Sequence, residues 1–395
     1  MPGELSVVFG AGNVGRGFLG QLLSESGYRV LFVDILEPLV RALAERGFYR
    51  LQLVTDESVQ ELEVQNVSAL LATEKERVAE AVAECALAAT AVGAAALPKV
   101  APLIAAGLEQ RRQKRPELPL NIIICENLKN APGVLAGLLA QHLSEEGRRY
   151  LAEKVGLVDA VIGRMVPIIP PELAREDPTF IMAEPYKVLP VNKARFKGPI
   201  PQVVGMVAKD NFAAYVDQKL YTHNAGHAMI AYVGYCRGHK YGYEALEDPT
   251  VELLTTRALQ EASEALIRKH GIPREEQYAH VEDLMRRFRN RRLGDTIFRL
   301  GRDPLRKLAP EDRLVGAARL VLEAGGVPDA LAWGVAAALL FDPPEDESAQ
   351  RLQAMLREKG PEETLAHVSG LLPGSALATM VLDRLKSIQA GQWPQ

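Results

Sequence analysis

Lys219, His223, Asn224 and His227 fall within nine consecutive residues of the stretch VDQKLYTHNAGHAMIAYVGYCRG, residues 216–238. Oxidising an alcohol carbon removes a hydride from carbon and a proton from oxygen. A lysine can take that proton if desolvation or nearby positive charge draws its pKa down from its usual ~10.4. An asparagine amide can donate to the developing alkoxide, and a histidine can orient the lysine or hold a substrate hydroxyl. On an α-helix stepping ~100° per residue, with Lys219 at zero, His223 lies at about 40°, His227 at about 80° and Asn224 at about 140°. The four therefore fit one arc of roughly 140° and can line one wall of a cleft.

Blander readings compete. Lys219 alone would be read as a snorkelling surface residue, His227 alone as a core histidine, and the whole helix as a packing element. His223 and His227 also make an HxxxH pair. A metalloprotease helix would need Glu after the first His; Asn224 stands there, and no third ligand cluster is evident, so no metal is expected.

The elements that must position these groups begin with LSVVFGAGNVGRGFLGQLLSES. A short apolar strand, Ser6 to Phe9, runs into Gly10, Gly12 and Gly15, and a helical pattern follows. Gly10 permits a tight turn, Gly12 lets the backbone approach a pyrophosphate, and Gly15 allows close helix–strand packing. GxGxxG alone is weak; its context carries it. A second apolar strand, RVLFVDI, ends in Asp34, whose carboxylate suits ribose hydroxyls and repels a 2′-phosphate. Ile35 and Leu36 supply no arginine for such a phosphate, so NAD is expected over NADP. Asn13 and Val14 inside the loop, and Val92 in ATAVG, are further candidate cofactor contacts. The competing reading is a glycine-rich turn in an unrelated α/β protein, with Asp34 capping a helix.

The strands ALAATAVG and NIIICEN, with a helix-compatible stretch at 98–113 between them, extend the alternation and imply a doubly wound parallel sheet. Residues 158–196 are proline-rich, with short strands and loops expected. From Asp210, a candidate N-cap, helices are expected at 211–236, 249–269, 276–290, 310–324, 328–341, 346–358, 361–370 and 375–389. The fold class is therefore α/β: an N-terminal Rossmann-type NAD-binding domain, 1–198, followed by a mainly α-helical substrate and catalytic domain, 199–395.

The length, 395 residues, fits two domains. The net charge of −4 gives no general attraction to nucleic acid or to an anionic membrane. Cys85, Cys125 and Cys236 form no CxxC motif and are odd in number, which fits a reducing compartment. The N-terminus lacks signal-peptide character, and the apolar run at 85–108 is alanine-rich and broken by Pro98 and Lys99. A cytoplasmic protein with no membrane partner is expected.

Lys219-x4-Asn224-x2-His227 resembles the KxxxxNxxH signature of the polyol-specific long-chain dehydrogenases. FGAGNVGRGFLG, ATAVG, NIIICEN, DNFAAYVDQKLYTHNAGHA and RFRNRRLGDTIFRLGRDPLRKL are similar, in the same order, to the mannitol-1-phosphate 5-dehydrogenase branch of that family. The resemblance spans roughly residues 5–370. It implies metal-independent, NAD-linked interconversion of D-mannitol 1-phosphate and D-fructose 6-phosphate. Carried over by position, Lys219 would be the general acid/base, Asn224 and Asn127 the pair that stabilises the oxyanion, and His227 a binding or orienting group. Asn127 also follows NIIIC directly, at the carboxyl edge of the sheet, where ligands of open α/β sheets bind. The sequence departs from the branch in AEPYKVLPVNK, which has Glu184 but no tryptophan, and at Arg291, where proline is common.

A sugar phosphate needs cations. RLGRDPLRK offers Arg299, Arg302, Arg306 and Lys307, of which Arg299 and Lys307 are the preferred candidates. Lys193, Arg195 and Lys197 form a second basic group, and Arg16 could reach cofactor or substrate phosphate. The bland reading is a solvated basic turn partly paired with Asp303. Two other functions stay open: a dehydrogenase for an unphosphorylated polyol or a hexuronate, and a non-catalytic NAD-binding module.

Overall fold

The computed structural model describes residues 3–394. The chain divides into two compact units, Met1–Phe212 and Ala213–Gln395.

The first unit is built on strands β1 (Leu5–Phe9), β2 (Arg29–Asp34), β3 (Phe48–Val54), β4 (Val59–Gln65), β5 (Val67–Leu71), β6 (Leu87–Thr90), β7 (Leu120–Ile124), β8 (Val155–Asp159), β9 (Ile181–Ala183), β10 (Leu189–Asn192) and β11 (Met206–Lys209). Six of them form one parallel sheet in the order β5-β2-β1-β6-β7-β8. Counted within the sheet, this is the 3-2-1-4-5-6 order of a doubly wound dinucleotide fold, which reverses between β1 and β6. Side chains alternate faces. Val8, Ala89 and Ile123 enter one core, and Val7, Phe9, Ala88, Ile122 and Ile124 enter the other. Burial on both sides explains why these strands read as unbroken apolar runs.

The sequence pattern missed β5 and β8, and with them the edges of the sheet. It also missed the β3–β4 hairpin, which joins β9 in a separate three-stranded sheet. β4 reads VQELEVQ and is mostly exposed, so no buried apolar stripe marks it. β10 and β11 pair in parallel, and residues 198 and 199 fall between them. The first unit therefore continues past the expected cut after residue 198.

The second unit is helical. Its longest regular helix, Pro249–His270, is capped by the Asp248 side chain and ends at Gly271, φ +67°. Asp329–Leu339 is buried almost throughout. Glu347–Ser369 turns at Gly360, φ +76°, so the helices expected at 346–358 and 361–370 lie on either side of a real break. The helix expected from 310 starts only at Val315. The segment read as one helix, 211–236, is three pieces: α-helix Phe212–Gln218, a π turn Lys219–Asn224 and α-helix Ala225–Cys236.

Among the described residues, no helix is long and apolar enough to cross a membrane. Cys85, Cys125 and Cys236 are free thiols.

Candidate active site

In the first unit the glycine loop follows β1 directly, with its amide Gly10 N–H bonded to Val33 O at 2.8 Å. Gly10 has φ +96°, and a Cβ there would stand 2.5 Å from the Ala91 carbonyl oxygen. A Cβ on Gly15 would stand 1.9 Å from the Gly10 carbonyl oxygen. Both positions therefore exclude any other residue by backbone contact. A Cβ on Gly12 would meet nothing within 4 Å. That open face, beside the start of a helix, is the cradle a pyrophosphate needs. Asn13 is exposed and Val14 half-buried at the same helix start.

Asp34 ends β2. Its Oδ2 accepts the Ala11 N–H at 2.7 Å, and its Oδ1 accepts Ile35 N–H at 2.7 Å and Leu36 N–H at 3.0 Å. The carboxylate is thus aimed before any ligand arrives. Gly10, Asp34, Val92 and Asn127 all lie at the carboxyl ends of neighbouring strands. Sequence reasoning passed over the group that organises this edge. Glu126 is buried beside Asn127; it accepts Thr90 Oγ1–H at 2.5 Å and Val92 N–H at 2.9 Å. It clamps the end of β6 to the end of β7. Burial raises its pKa, against the pull of those hydrogen bonds. A charged residue closing an apolar strand was the available signal, but its partners lie 34 and 36 residues away.

Arg16, a candidate for a cofactor or substrate phosphate, is engaged by backbone carbonyls. Its Nε donates to Ala11 O at 2.5 Å, and its Nη1 reaches the carbonyls of Pro178, Thr179 and Phe180 at 3.3, 2.5 and 3.3 Å. The side chain is buried and braces the loop against residues 178–180.

In the second unit, Lys219, His223 and Asn224 belong to the π turn, and Ala225 N–H bonds to Leu220 O, five residues back. A ring closed five residues on spreads each turn over more residues than the 3.6 of an α-helix, so each side chain steps by less than ~100°. Five such steps overshoot a full turn by less than the α-helical count assumed, so Asn224 comes nearer to alignment with Lys219. Single π turns inserted in α-helices are frequent at functional sites.

The His223 and His227 rings lie 4.8 Å apart, edge to face. Phe288 packs on both, at 5.7 and 4.4 Å. Gly226 permits this, because a Cβ there would come 2.8 Å from the Phe288 ring. Both histidines are held well below their usual pKa. Burial dominates in each, followed for His223 by His227 and Arg287, and for His227 by the charges of Arg299, Arg313 and Lys307. At neutral pH both are neutral rings, able to donate at one nitrogen and accept at the other. Among the described residues, no group of three or more His, Cys, Asp or Glu stands together to hold a metal ion.

Of the basic turn, Arg302 and Arg306 are exposed, and Arg306 pairs with Asp303. Lys307 is buried, donates to the Leu300 carbonyl and is brought down to about 7, first by burial and then by Arg313 and Arg306. Arg299 is paired with Asp295. Arg287 and Arg313 are also buried and were not anticipated. With Arg299 and Lys307 they set the positive field at His227. Lys193 pairs instead with Asp210 on the surface.

A family model for the mannitol dehydrogenase Rossmann domain matches residues 5–205, and one for the mannitol dehydrogenase C-terminal domain matches residues 211–389. This chain belongs to the mannitol dehydrogenase family. It is 39% identical over 389 residues to a mannitol-1-phosphate 5-dehydrogenase of Geobacillus thermodenitrificans (strain NG80-2), covering 98% of this chain and 100% of that one. It is 38% identical to a mannitol-1-phosphate 5-dehydrogenase of Brevibacillus brevis (strain 47 / JCM 6285 / NBRC 100599), with 98% of each chain covered. Among solved structures, a substrate-free D-sorbitol dehydrogenase shares the fold with a TM-score of 0.80 at 16% identity, covering 98% of this chain and 93% of that one. A Pseudomonas fluorescens mannitol 2-dehydrogenase, in ternary complex with NAD and D-mannitol, shares it with a TM-score of 0.75 at 16% identity, over 98% and 92%.

Proposed function

We propose that this member of the mannitol dehydrogenase family interconverts D-mannitol 1-phosphate and D-fructose 6-phosphate with NAD. The observation that carries the proposal is near end-to-end similarity, at 38 and 39% identity, to two proteins bearing that activity in their names. The geometry of each unit agrees with it.

NAD, when bound, supplies the hydride acceptor and, as NADH, the donor. Gly10, Gly12, Asn13, Val14 and Gly15 would hold its pyrophosphate, with Asp34 on the adenosine ribose and Val92 on the adjoining loop. The fit rests on the open face at Gly12 and the preset carboxylate of Asp34.

As the carbinol carbon loses hydride, its hydroxyl proton passes to the uncharged amine of Lys219, and in reduction the ammonium returns it. Asn224 donates its amide N–H to the oxygen as negative charge develops, and Asn127 is assigned as a second amide donor. Neutral His227 orients the substrate by hydrogen bonding. Arg299 and Lys307, with Arg287 and Arg313 contributing field, attract the phosphate dianion. No metal enters this scheme; the acid, the base and the oxyanion donors are all side chains.

The direct test is to follow NADH absorbance with D-fructose 6-phosphate and, in parallel, D-fructose. The proposal requires kcat/KM higher by at least about a hundredfold for the phosphate ester, the scale of one or two charge-assisted contacts. Preference for free fructose or for a hexuronate points to the alternative substrates. NADH binding with no turnover on any ketose points to a binding module.

A further inference from the structure

The π turn is flanked by a buried polar network that the proposed reaction does not use. Thr222 is fully buried; its Oγ1 donates to the carbonyl of Gln218 and lies 3.3 Å from Nε2 of His280. A hydroxyl carries one hydrogen and a carbonyl only accepts, so that hydrogen goes to Gln218 and His280 must donate from Nε2–H. Burial and the Arg287 charge bring His280 down to about 4, so at neutral pH the ring is uncharged and this donation fixes it as the Nε2–H tautomer. The Gln218 side chain enters a second line. Its Nε2 donates to Gln277 Oε1 at 2.8 Å, and Gln277 Nε2 donates to Ser263 Oγ at 2.9 Å. Gln277 and Ser263 are fully buried.

Gln277 and His280 sit three residues apart on helix Arg274–Phe288, hence on one face. They hold residues 218 and 222, which stand on either side of Lys219. A buried polar network is costly unless every member is satisfied, and apolar residues of the same shape would serve packing as well. A π turn also needs something to hold it against the α-helical register, in which hydrogen bonds close four residues back.

We propose that Thr222 and Gln218, anchored by His280 and Gln277, are positioning residues that keep Lys219–Asn224 in the π conformation and so fix the directions of the Lys219 amine and the Asn224 amide. The proposal rests on the reading of Lys219 as the acid/base. Without the Thr222 hydroxyl, the Gln218 carbonyl loses its side-chain donor, the turn relaxes toward α register, and the two groups rotate apart.

The test compares full-length Thr222→Val and Thr222→Ser with the parent, using NADH and fructose 6-phosphate. T222V is expected to lose roughly tenfold to a hundredfold in kcat, the cost of misplacing a reacting group by about an ångström. Its KM for NADH should stay within about twofold, because the change removes no group assigned to the cofactor. With NADH deuterated at the transferred position, the isotope effect on kcat should rise, a change that simple loss of stability would not produce. T222S should recover most of the turnover. Parent-like kcat and isotope effect in folded T222V overturn the proposal. If T222V does not fold, His280→Leu takes its place: a similar kcat loss supports the proposal, and unchanged kcat overturns it. Lys219→Ala separates the two levels. An inactive K219A beside a fully active T222V rejects the positioning role alone, whereas an active K219A removes the acid/base reading and this proposal with it.

Discussion

The carboxylate of Asp34 accepts the backbone N–H of Ala11 at 2.7 Å, joining the end of β2 to the glycine loop after β1. One residue thereby shapes the cradle and presents the group proposed to select ribose hydroxyls. Asp34→Ala would leave three amides, of Ala11, Ile35 and Leu36, without their acceptor. Hydrogen bonds to charged groups contribute about 1.5–3 kcal/mol each, so kcat/KM with NADH should fall by roughly tenfold to a hundredfold. The ratio of NADPH to NADH efficiency should rise, because repulsion of the 2′-phosphate is removed. Steady-state kinetics with both cofactors check this; an unchanged ratio contradicts the assigned role.

Lys219→Ala tests the base. Positioned acid–base groups contribute typically 10²- to 10⁴-fold, so turnover should drop by about that factor. NADH affinity, read by quenching of protein fluorescence, should be unaltered, since the glycine loop and Asp34 are untouched. Near-normal turnover removes Lys219 from the chemistry.

The legible and illegible parts of this sequence divide along physical lines. The strands buried on both faces, the Gly10–Gly15 loop and the acid closing β2 announce themselves, because each depends on residue type within a short window. Gly15 had to be glycine for a contact within the loop itself, the Gly10 carbonyl, whereas the carbonyl that a Cβ on Gly10 would strike belongs to distant Ala91. Groups whose partners are distant in sequence stayed hidden. Glu126 meets Thr90 and Val92, and Arg16 meets Pro178 to Phe180. A basic residue next to a glycine loop reads as a phosphate candidate, and nothing nearby in the sequence marks the carbonyls it also serves. The π turn was hidden for another reason: hydrophobic periodicity assumes one step angle, and six residues of a different step leave no compositional mark.

Gly226 is predicted to be irreplaceable for packing. A Cβ at this position would stand 2.8 Å from the ring of Phe288, which contacts both His223 and His227. Gly226→Ala must push the helix ending at Phe288 away or tilt the ring. Overpacking of this kind costs about 1–3 kcal/mol, so the unfolding free energy read from urea titration should fall by that amount and the midpoint should move to lower denaturant. Catalysis should suffer too, because the histidine pair loses its floor. Parental stability in G226A would mean that Phe288 yields freely.

Lys307 gives a pH signature whose sign is fixed by its burial. Its folded pKa is brought down to about 7 from an ordinary 10.5, with desolvation as the main cause and Arg313 and Arg306 adding repulsion. Between those two values the unfolded chain binds the proton and the folded chain does not. Stability attributable to this residue therefore increases as pH rises from about 7 toward 10.5, and below 7, where both states are charged, the penalty for burying the ammonium is complete. Lys307→Met keeps the volume and abolishes the titration. The stability difference between K307M and the parent, measured by urea unfolding at pH 7 and pH 9.5, should favour K307M more at pH 7 than at pH 9.5. The same variant should lose preference for fructose 6-phosphate over fructose, because a cation assigned to the phosphate is gone. A pH-independent difference would show that the amine is not desolvated as its burial implies, and retained ester preference would move the phosphate to other cations.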